Sequence, residues 1–261
     1  MSDRATGGAA PLARDNPQRG HYDTIFAEYN AHYCDATSFA FRNEFILRPL
    51  LDGIDLTAQR VADLACGPGV TSIALQQLFP GVQLEGFDIS PDACREYRTA
   101  TGAPAHEHDL LMEVDGEPFD AAIVVGGLHH CILHLDRVLE NVAGLLRPGG
   151  LFMLYEPNAS FLLEGVRRRW YRRDRYFEAD TEAAILPAEL LKQAEHWFAP
   201  VRTFYNGGPA YFAILNSLVT RISLSAKPIL APPLFVAERA WNAVAPGWLK
   251  PAFGMILRRT D

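Results

Sequence analysis

The segment Val61-Ala62-Asp63-Leu64-Ala65-Cys66-Gly67-Pro68-Gly69-Val70 constrains this chain more than any other. Its apolar start reads as a short strand, Arg60–Ala65. The glycines make a tight turn, and Thr71–Phe79 then carries helical periodicity as far as Pro80-Gly81. A strand that passes through glycine into a helix is the opening unit of a doubly wound α/β sheet, and glycine lets a ligand approach the backbone. The turn alone is compatible with a dinucleotide site, but two residues argue against one. The place three after Gly69 holds Ser72, where the dinucleotide fingerprint has Gly or Ala. Asp63, four residues before Gly67, sets a carboxylate beside the turn, where it would repel a pyrophosphate.

Strands and helices alternate beyond the turn. Val82–Asp88 reads as a strand, and Pro91–Ala100 as a helix behind a Ser90 cap. Residues 104–107 and Phe119–Val125 read as strands. Leu133–Leu146 is a helix closed by Arg147-Pro148-Gly149-Gly150, and Leu151–Tyr155 is the next strand. Such alternation implies parallel βαβ units with the ligand site at the carboxyl ends of the strands. Glu182–Trp197 looks helical, Val201–Tyr205 extended, 210–224 and 233–244 helical and apolar, and Phe253–Leu257 extended. Two helices inserted before a last strand would form a lid. Residues 1–20, rich in Ala, Gly, Pro and Arg, are expected to be a mobile tail. Residues 21–261 are expected to form one domain, with an N-terminal helix within 21–50 and inserted helices at about 207–248. Tyr22, Ile25, Phe26, Tyr29 and Tyr33 recur at helical spacing in the first of these.

The 261 residues are 49% hydrophobic, enough for one large α/β domain, and the net charge of −7 argues against a nucleic-acid partner. The apolar stretches 211–219 and 229–237 are too short or too broken to span a membrane. No signal peptide is apparent. Cys34, Cys66, Cys94 and Cys131 lack zinc or redox spacing, so no metal is expected, and a reducing, cytoplasmic setting fits.

Asp63-Leu64-Ala65-Cys66-Gly67-Pro68-Gly69 resembles the first motif of the class I S-adenosylmethionine-dependent methyltransferases, acidic-x-Gly-x-Gly-x-Gly, with Ala65 in place of the first Gly. Later stretches resemble that family in order: Gly86-Phe87-Asp88-Ile89, His108-Asp109-Leu110, Phe119 through His130, and Leu145 through Gly150. The resemblance covers roughly residues 20–160. It implies a Rossmann-like, doubly wound, mostly parallel seven-stranded α/β sheet with helices on both faces and a helical lid. It also implies S-adenosylmethionine as cofactor and S-adenosylhomocysteine as product. The ammonium and sulfonium of that cofactor suit Asp63. By resemblance, Asp88 would accept both ribose hydroxyls, Asp109 the adenine amino group, and the Leu110 N–H would meet an adenine ring nitrogen. Tyr22, Ala65, Gly67, Ile89 and Gly126 complete the implied cofactor site. Asp120 opens its strand at the far end and reads as structural.

Methyl transfer to sulfonium-activated carbon needs positioning first, and a base only where the acceptor must lose a proton. His129 and His130, just after the fourth strand, are candidate bases, or else shape the cofactor pocket. Glu156 would orient or deprotonate an acceptor, or cap the turn. Tyr29, Tyr33, Asn158 and Tyr211 are candidate acceptor contacts. The run Arg167 to Arg175 reads as a solvated face or as a dock for an anionic acceptor or carrier protein. The apolar C-terminal helices, with Tyr211, Phe212, Leu215, Leu218, Trp241 and Trp248, suit an acceptor pocket, a homodimer surface or lid packing. The implied activity is methylation of O, N or C on a small molecule of specialised metabolism, apolar or carrier-bound. The alternatives are an S-adenosylmethionine-binding enzyme that catalyses a cyclisation or rearrangement, an NAD-dependent oxidoreductase, and a binding protein without catalysis.

Overall fold

The computed structural model describes residues 30–171 and 183–261. The expectations for the 1–20 tail, for Tyr22 and Tyr29, and for Arg172, Arg173 and Arg175 lie outside the described residues.

Seven strands form one sheet in the order β3-β2-β1-β4-β5-β7-β6. They are β1 (Arg60–Leu64), β2 (Gln83–Asp88), β3 (Ala105–Glu107), β4 (Phe119–Val125), β5 (Leu146–Pro157), β6 (Phe198–Asn206) and β7 (Ala252–Arg259). The first five are parallel, and β7 runs antiparallel to both β5 and β6. This is the mostly parallel, Rossmann-like arrangement. Ala121 to Val124 of β4 are fully buried, as a central strand covered on both faces requires.

Helices cover the two faces. On one, α5 (Leu135–Leu145) and α7 (Pro187–Ala194) bring Val138, Leu139, Leu190 and Ala194 onto Phe152, Leu154 and Leu257. On the other, α3 (Val70–Leu78) brings Ala74 and Leu75 onto Val61, Ile123 and Met153. Leu47 joins them from a π-helical turn, Arg42–Leu47, and Leu50 and Leu51 from α2 (Arg48–Leu51). α4 (Pro91–Thr101) connects β2 to β3 behind its Ser90 cap, whose hydroxyl accepts the Ala93 N–H. Asp120 sits at the amino end of β4, where it accepts the Arg60 N–H at 2.7 Å and pairs with Arg147.

Several boundaries differ from the sequence reading: β5 begins at Leu146 and takes in the expected turn Arg147-Pro148-Gly149-Gly150, and β6 begins at Phe198 rather than Val201. The helix expected over Leu133–Leu146 starts at Leu135, after a 3-10 stretch, Leu128–His134. The helix expected from Glu182 begins at Pro187, whose ring fits a first helical turn. The last long helix, α9 (Lys227–Val244), runs through Pro232 and Pro233, where the sequence suggested a start. Both prolines are exposed and lie inside the helix, in its second turn, where each removes one backbone N–H donor.

A third apolar cluster lies at the carboxyl side of the sheet. Residues between β6 and β7 form a π-helical turn (Tyr211–Leu215), α8 (Ser217–Thr220) and α9. Tyr211, Ile214, Leu218 and Phe235 from this excursion pack with Tyr33, with Phe41 of α1 (Ala36–Phe41), and with Phe45 and Tyr155. Two buried charges tie the layers. Lys227 Nζ donates to the His32 carbonyl at 2.7 Å, to Ser38 Oγ and to Asp35. Glu238 accepts the N–H groups of Ala210 and Tyr211 at 2.9 and 3.3 Å.

Candidate functional site

β1 ends level with β2 and β4, since Leu64 pairs with both Phe87 and Val124. The glycine-rich turn therefore emerges between two other strand ends. Ala65, Gly67 and Gly69 all have positive φ, at 49°, 52° and 89°. The Gly67 N–H donates to Asp88 Oδ2 at 2.9 Å, and the Ser90 N–H to Asp88 Oδ1 at 2.9 Å. One carboxylate thus binds two loops. Burial pushes the Asp88 carboxyl up, while these N–H groups act the other way. A Cβ built on Gly67 or on Gly126 meets nothing within 4 Å, so open space lies over the turn at both places.

Asp63 lies beneath the turn, 2% exposed. Ser72 Oγ donates to Asp63 Oδ2 at 2.7 Å, and Ser72 Oγ and the Tyr97 hydroxyl are also 2.7 Å apart. With Asp63 ionised, the chain of donors runs from Tyr97 to Ser72 to Asp63. Burial raises the Asp63 carboxyl to about 7, and the field of Asp88 adds to this. Ser72, which breaks the dinucleotide pattern in the sequence, is the partner of the acidic residue that suggests a cationic ligand.

The β4 and β5 ends are joined by Glu156, which is fully buried. Its Oε1 accepts the N–H groups of Gly127 and Leu128 at 2.9 and 2.8 Å. Its Oε2 lies 2.8 Å from His129 Nδ1 and 3.4 Å from the His129 N–H. With Nδ1–H donating to the carboxylate, the acceptor lone pair of the imidazole is on Nε2. The rings of His129 and His130 are 3.9 Å apart between centroids. The sequence reading leaves Glu156 either facing an acceptor or capping the turn, and its donors here belong to the loop from Gly127 to His129.

The other expected residues fall into three places. Asp109 and Leu110 follow β3, where Asp109 Oδ1 accepts the Leu111 N–H at 3.0 Å and Asn141 donates to the Leu110 carbonyl at 2.9 Å. Ile89 directly follows Asp88, and Gly126 directly precedes the Glu156-bound N–H groups. Asn158 is fully buried. It donates to the Lys250 carbonyl at 2.9 Å and accepts the Ser160 N–H at 2.9 Å, so its side chain serves the turn after β5. Tyr33 and Tyr211 both meet Asn216: the Tyr33 hydroxyl lies 3.2 Å from its Oδ1, and Tyr211 also bonds its side chain. Burial pushes the Tyr211 phenol up, and the fields of Arg167 and Glu156 both reach it. The excursion between β6 and β7 therefore approaches the β5 end of the site.

Arg42 escaped the sequence reading. Its Nε is buried without a hydrogen bond to a described residue, and its charge favours the ionised forms of Asp63 and Tyr155. The available signal was a lone arginine within the apolar run Phe39-Ala40-Phe41-Arg42. Asn206, which accepts from the Tyr155 hydroxyl at 2.6 Å, carried no signal at all.

Residues 62–152 match the family model described as a methyltransferase domain. This segment is similar to methyltransferase domains, and the sheet order above matches the Rossmann-like methyltransferase fold. The chain is 27% identical over 133 residues to trans-aconitate 2-methyltransferase of Pseudomonas paraeruginosa, which covers 49% of this chain and 48% of that protein. It spans about half the length of the curated relatives it matches. Among solved structures, phosphoethanolamine N-methyltransferase 2 of Haemonchus contortus, in complex with S-adenosyl-L-methionine, superposes with a TM-score of 0.64 at 17% identity. That match covers 97% of this chain and 61% of the other. The (4+2)-cyclase SpnF superposes with a TM-score of 0.63 at 14% identity, over 93% of this chain and 96% of its own.

Proposed function

We propose that the protein transfers the methyl group of S-adenosylmethionine to a small-molecule acceptor. The observation that carries this reading is the grip of Asp88 on the Gly67 N–H at the open edge of a methyltransferase domain. The residues fit such a cofactor. Open space lies over Gly67 and Gly126, Asp88 keeps lone pairs for two hydroxyl donors, and Asp63 is a buried carboxyl suited to a nearby positive charge. Asp63, Ala65, Gly67 and Gly126 would hold the methionine end, with Tyr22 over it. Asp88 and Ile89 would hold the ribose, and Asp109 with the Leu110 N–H the adenine. The bound cofactor supplies a methyl group on a positively charged sulfur.

The chain itself supplies position and a base. Glu156 fixes the backbone from Gly127 to His129 and orients the His129 ring, so that Nε2 takes a proton from an acceptor hydroxyl or amine as it is methylated. The His130 ring lies against it, tilted by 39°, and would limit its rotation. The tyrosines and phenylalanines around Tyr33 and Tyr211 form an apolar wall that excludes water and favours an apolar acceptor. Tyr29 and Tyr211 would contact that acceptor, with Tyr33 and Asn158 supporting the wall. Such an acceptor suits specialised metabolism in the cytoplasm, either free or on a carrier.

The test is incubation with methyl-labelled S-adenosylmethionine and a panel of hydroxylated, carboxylated and amine acceptors. Labelled product is expected, with S-adenosylhomocysteine in equal amount. A product of unchanged mass would favour cyclisation or rearrangement, a reading kept in view by the shared fold with SpnF. Calorimetric binding of NAD and not of S-adenosylmethionine would overturn both.

A further inference from the structure

The outer surface of the excursion between β6 and β7 is apolar where a water-facing helix is normally polar. Ile229, Val236 and Val244 of α9 are 76%, 62% and 81% exposed. They recur after seven and eight residues and so share one face, which Pro233 and Ala240, also exposed, continue. The opposite face, with Ala231 and Phe235, is already used in the lid cluster. Just past the end of α9 lies Trp248, 52% exposed, whose carbonyl accepts the Leu162 N–H at 2.8 Å. That bond joins the α9 stripe to a second exposed apolar group, Leu162 with Val166 and Trp170 on and before α6 (Glu164–Tyr171).

Charge accompanies this second group. Arg169 is exposed about 60° round α6 from Val166, whereas Arg168, exposed and 4.0 Å from Glu164, lies on the flank about 160° from Val166 and Trp170. Arg167 does not belong to this surface: its guanidinium is buried, donating to the Pro251 and Asn158 carbonyls at 2.9 and 2.8 Å. Exposed arginines are notable on a chain of net charge −7. Aliphatic residues in a helical stripe, tryptophans at its edge and arginines beside them are what an interfacial helix presents to a bilayer of negative lipids. A second copy of the chain fits less well, because a two-fold contact around α6 would bring these arginines near their own equivalents.

We propose that the α9 stripe, Trp248 and the outer side of α6 form a docking face for an anionic phospholipid surface, on which the protein lies without spanning it. The proposal is independent of the methyl-transfer reading, since adsorption needs neither cofactor nor acceptor.

The test is flotation of the full chain with vesicles of phosphatidylglycerol and phosphatidylcholine in equal parts, and with vesicles of phosphatidylcholine alone. Binding to the mixed vesicles is expected, with a blue shift of tryptophan emission and a strong loss in high salt. The double variant Arg168→Glu/Arg169→Glu should weaken it by about thirtyfold. Val166→Glu/Ile229→Glu should weaken it similarly, with thermal melting checking that both variants fold. Failure of the parent chain to float with mixed vesicles would overturn the proposal, as would binding that both double variants retain. A dimer in sedimentation velocity that Val166→Glu/Ile229→Glu dissociates, with no vesicle binding, would reassign the face to self-association.

Discussion

The methyl group of Ala65 faces Gly127 so closely that a Cβ on Gly127 would lie 2.6 Å from it, and 2.7 Å from Val124 Cγ2. The turns after β1 and β4 therefore interlock through one methyl group and one missing one. Gly127 has φ of −121°, which any residue adopts, so the requirement for glycine there is steric. Gly127→Ala should destabilise the protein by about 1–3 kcal/mol, as overpacking does. Ala65→Gly should be neutral or stabilising alone, because Ala65 has φ of 49°. Combined with Gly127→Ala it should recover most of the loss. Urea denaturation of the four proteins measures the coupling, and strictly additive effects would dissolve it.

Asp63 should give the turn after β1 a pH dependence. Its carboxyl, raised to about 7, keeps a proton in the folded chain that the unfolded chain loses near pH 4. The stability from this group is fully present below about pH 4 and is lost as pH rises through 7. Asp88, also raised by burial, acts in the same sense. A bound cation favours the carboxylate, so uptake of S-adenosylmethionine near neutrality should release a proton and tighten as pH rises. Calorimetry in buffers of different ionisation enthalpy reads that proton. In Asp63→Asn the release should vanish and the stability slope flatten; an unchanged slope would shift the effect elsewhere.

Asp88→Ala removes both the expected ribose acceptor and the anchor of the Gly67 N–H. Affinity for S-adenosylhomocysteine should fall by about 1–3 kcal/mol, roughly ten- to a hundredfold. Titration calorimetry measures it directly. Undiminished affinity would place the ribose away from Asp88.

Glu156→Gln puts an amide donor among groups that are themselves donors: the N–H groups of Gly127 and Leu128 and His129 Nδ1. A stability loss of about 1–3 kcal/mol is expected. If Glu156 also positions His129 for proton removal, turnover in the folded protein should fall by about a hundredfold with cofactor affinity little changed. A purely structural Glu156 would lower the melting temperature and leave turnover intact. Acceptors that carry no proton to lose should be methylated at nearly the parent rate.

The strands and the first turn were legible because a covered parallel strand is continuously apolar and a turn of positive φ favours glycine, both local properties. Asp63 could be picked out by its spacing to the glycine turn, and Asp88 and Asp109 because each closes or follows a strand. Glu156 and Asn158 were visible as residues but not as roles, since their partners come from other segments: Gly127 to His129 for one, Lys250 for the other. Lys227 finds its partners in residues 32–38 and Glu238 in residues 210–211, and no periodicity encodes such pairs. Arg42 was legible only as an anomaly. The start of α9 was misplaced because proline is read as a breaker, whereas Pro228 sits in the first turn and Pro232 and Pro233 are carried inside the helix.

The pairing of Asn206 with Ala252 closes the excursion between β6 and β7 at its base. Everything from 207 to 251 leaves the sheet and returns to it at neighbouring strands, roughly 5 Å apart. The segment is therefore a cassette with fixed ends. Replacing or shortening it would alter the wall around Tyr211 and the outer stripe of α9, while the β1, β2 and β4 ends keep the same register.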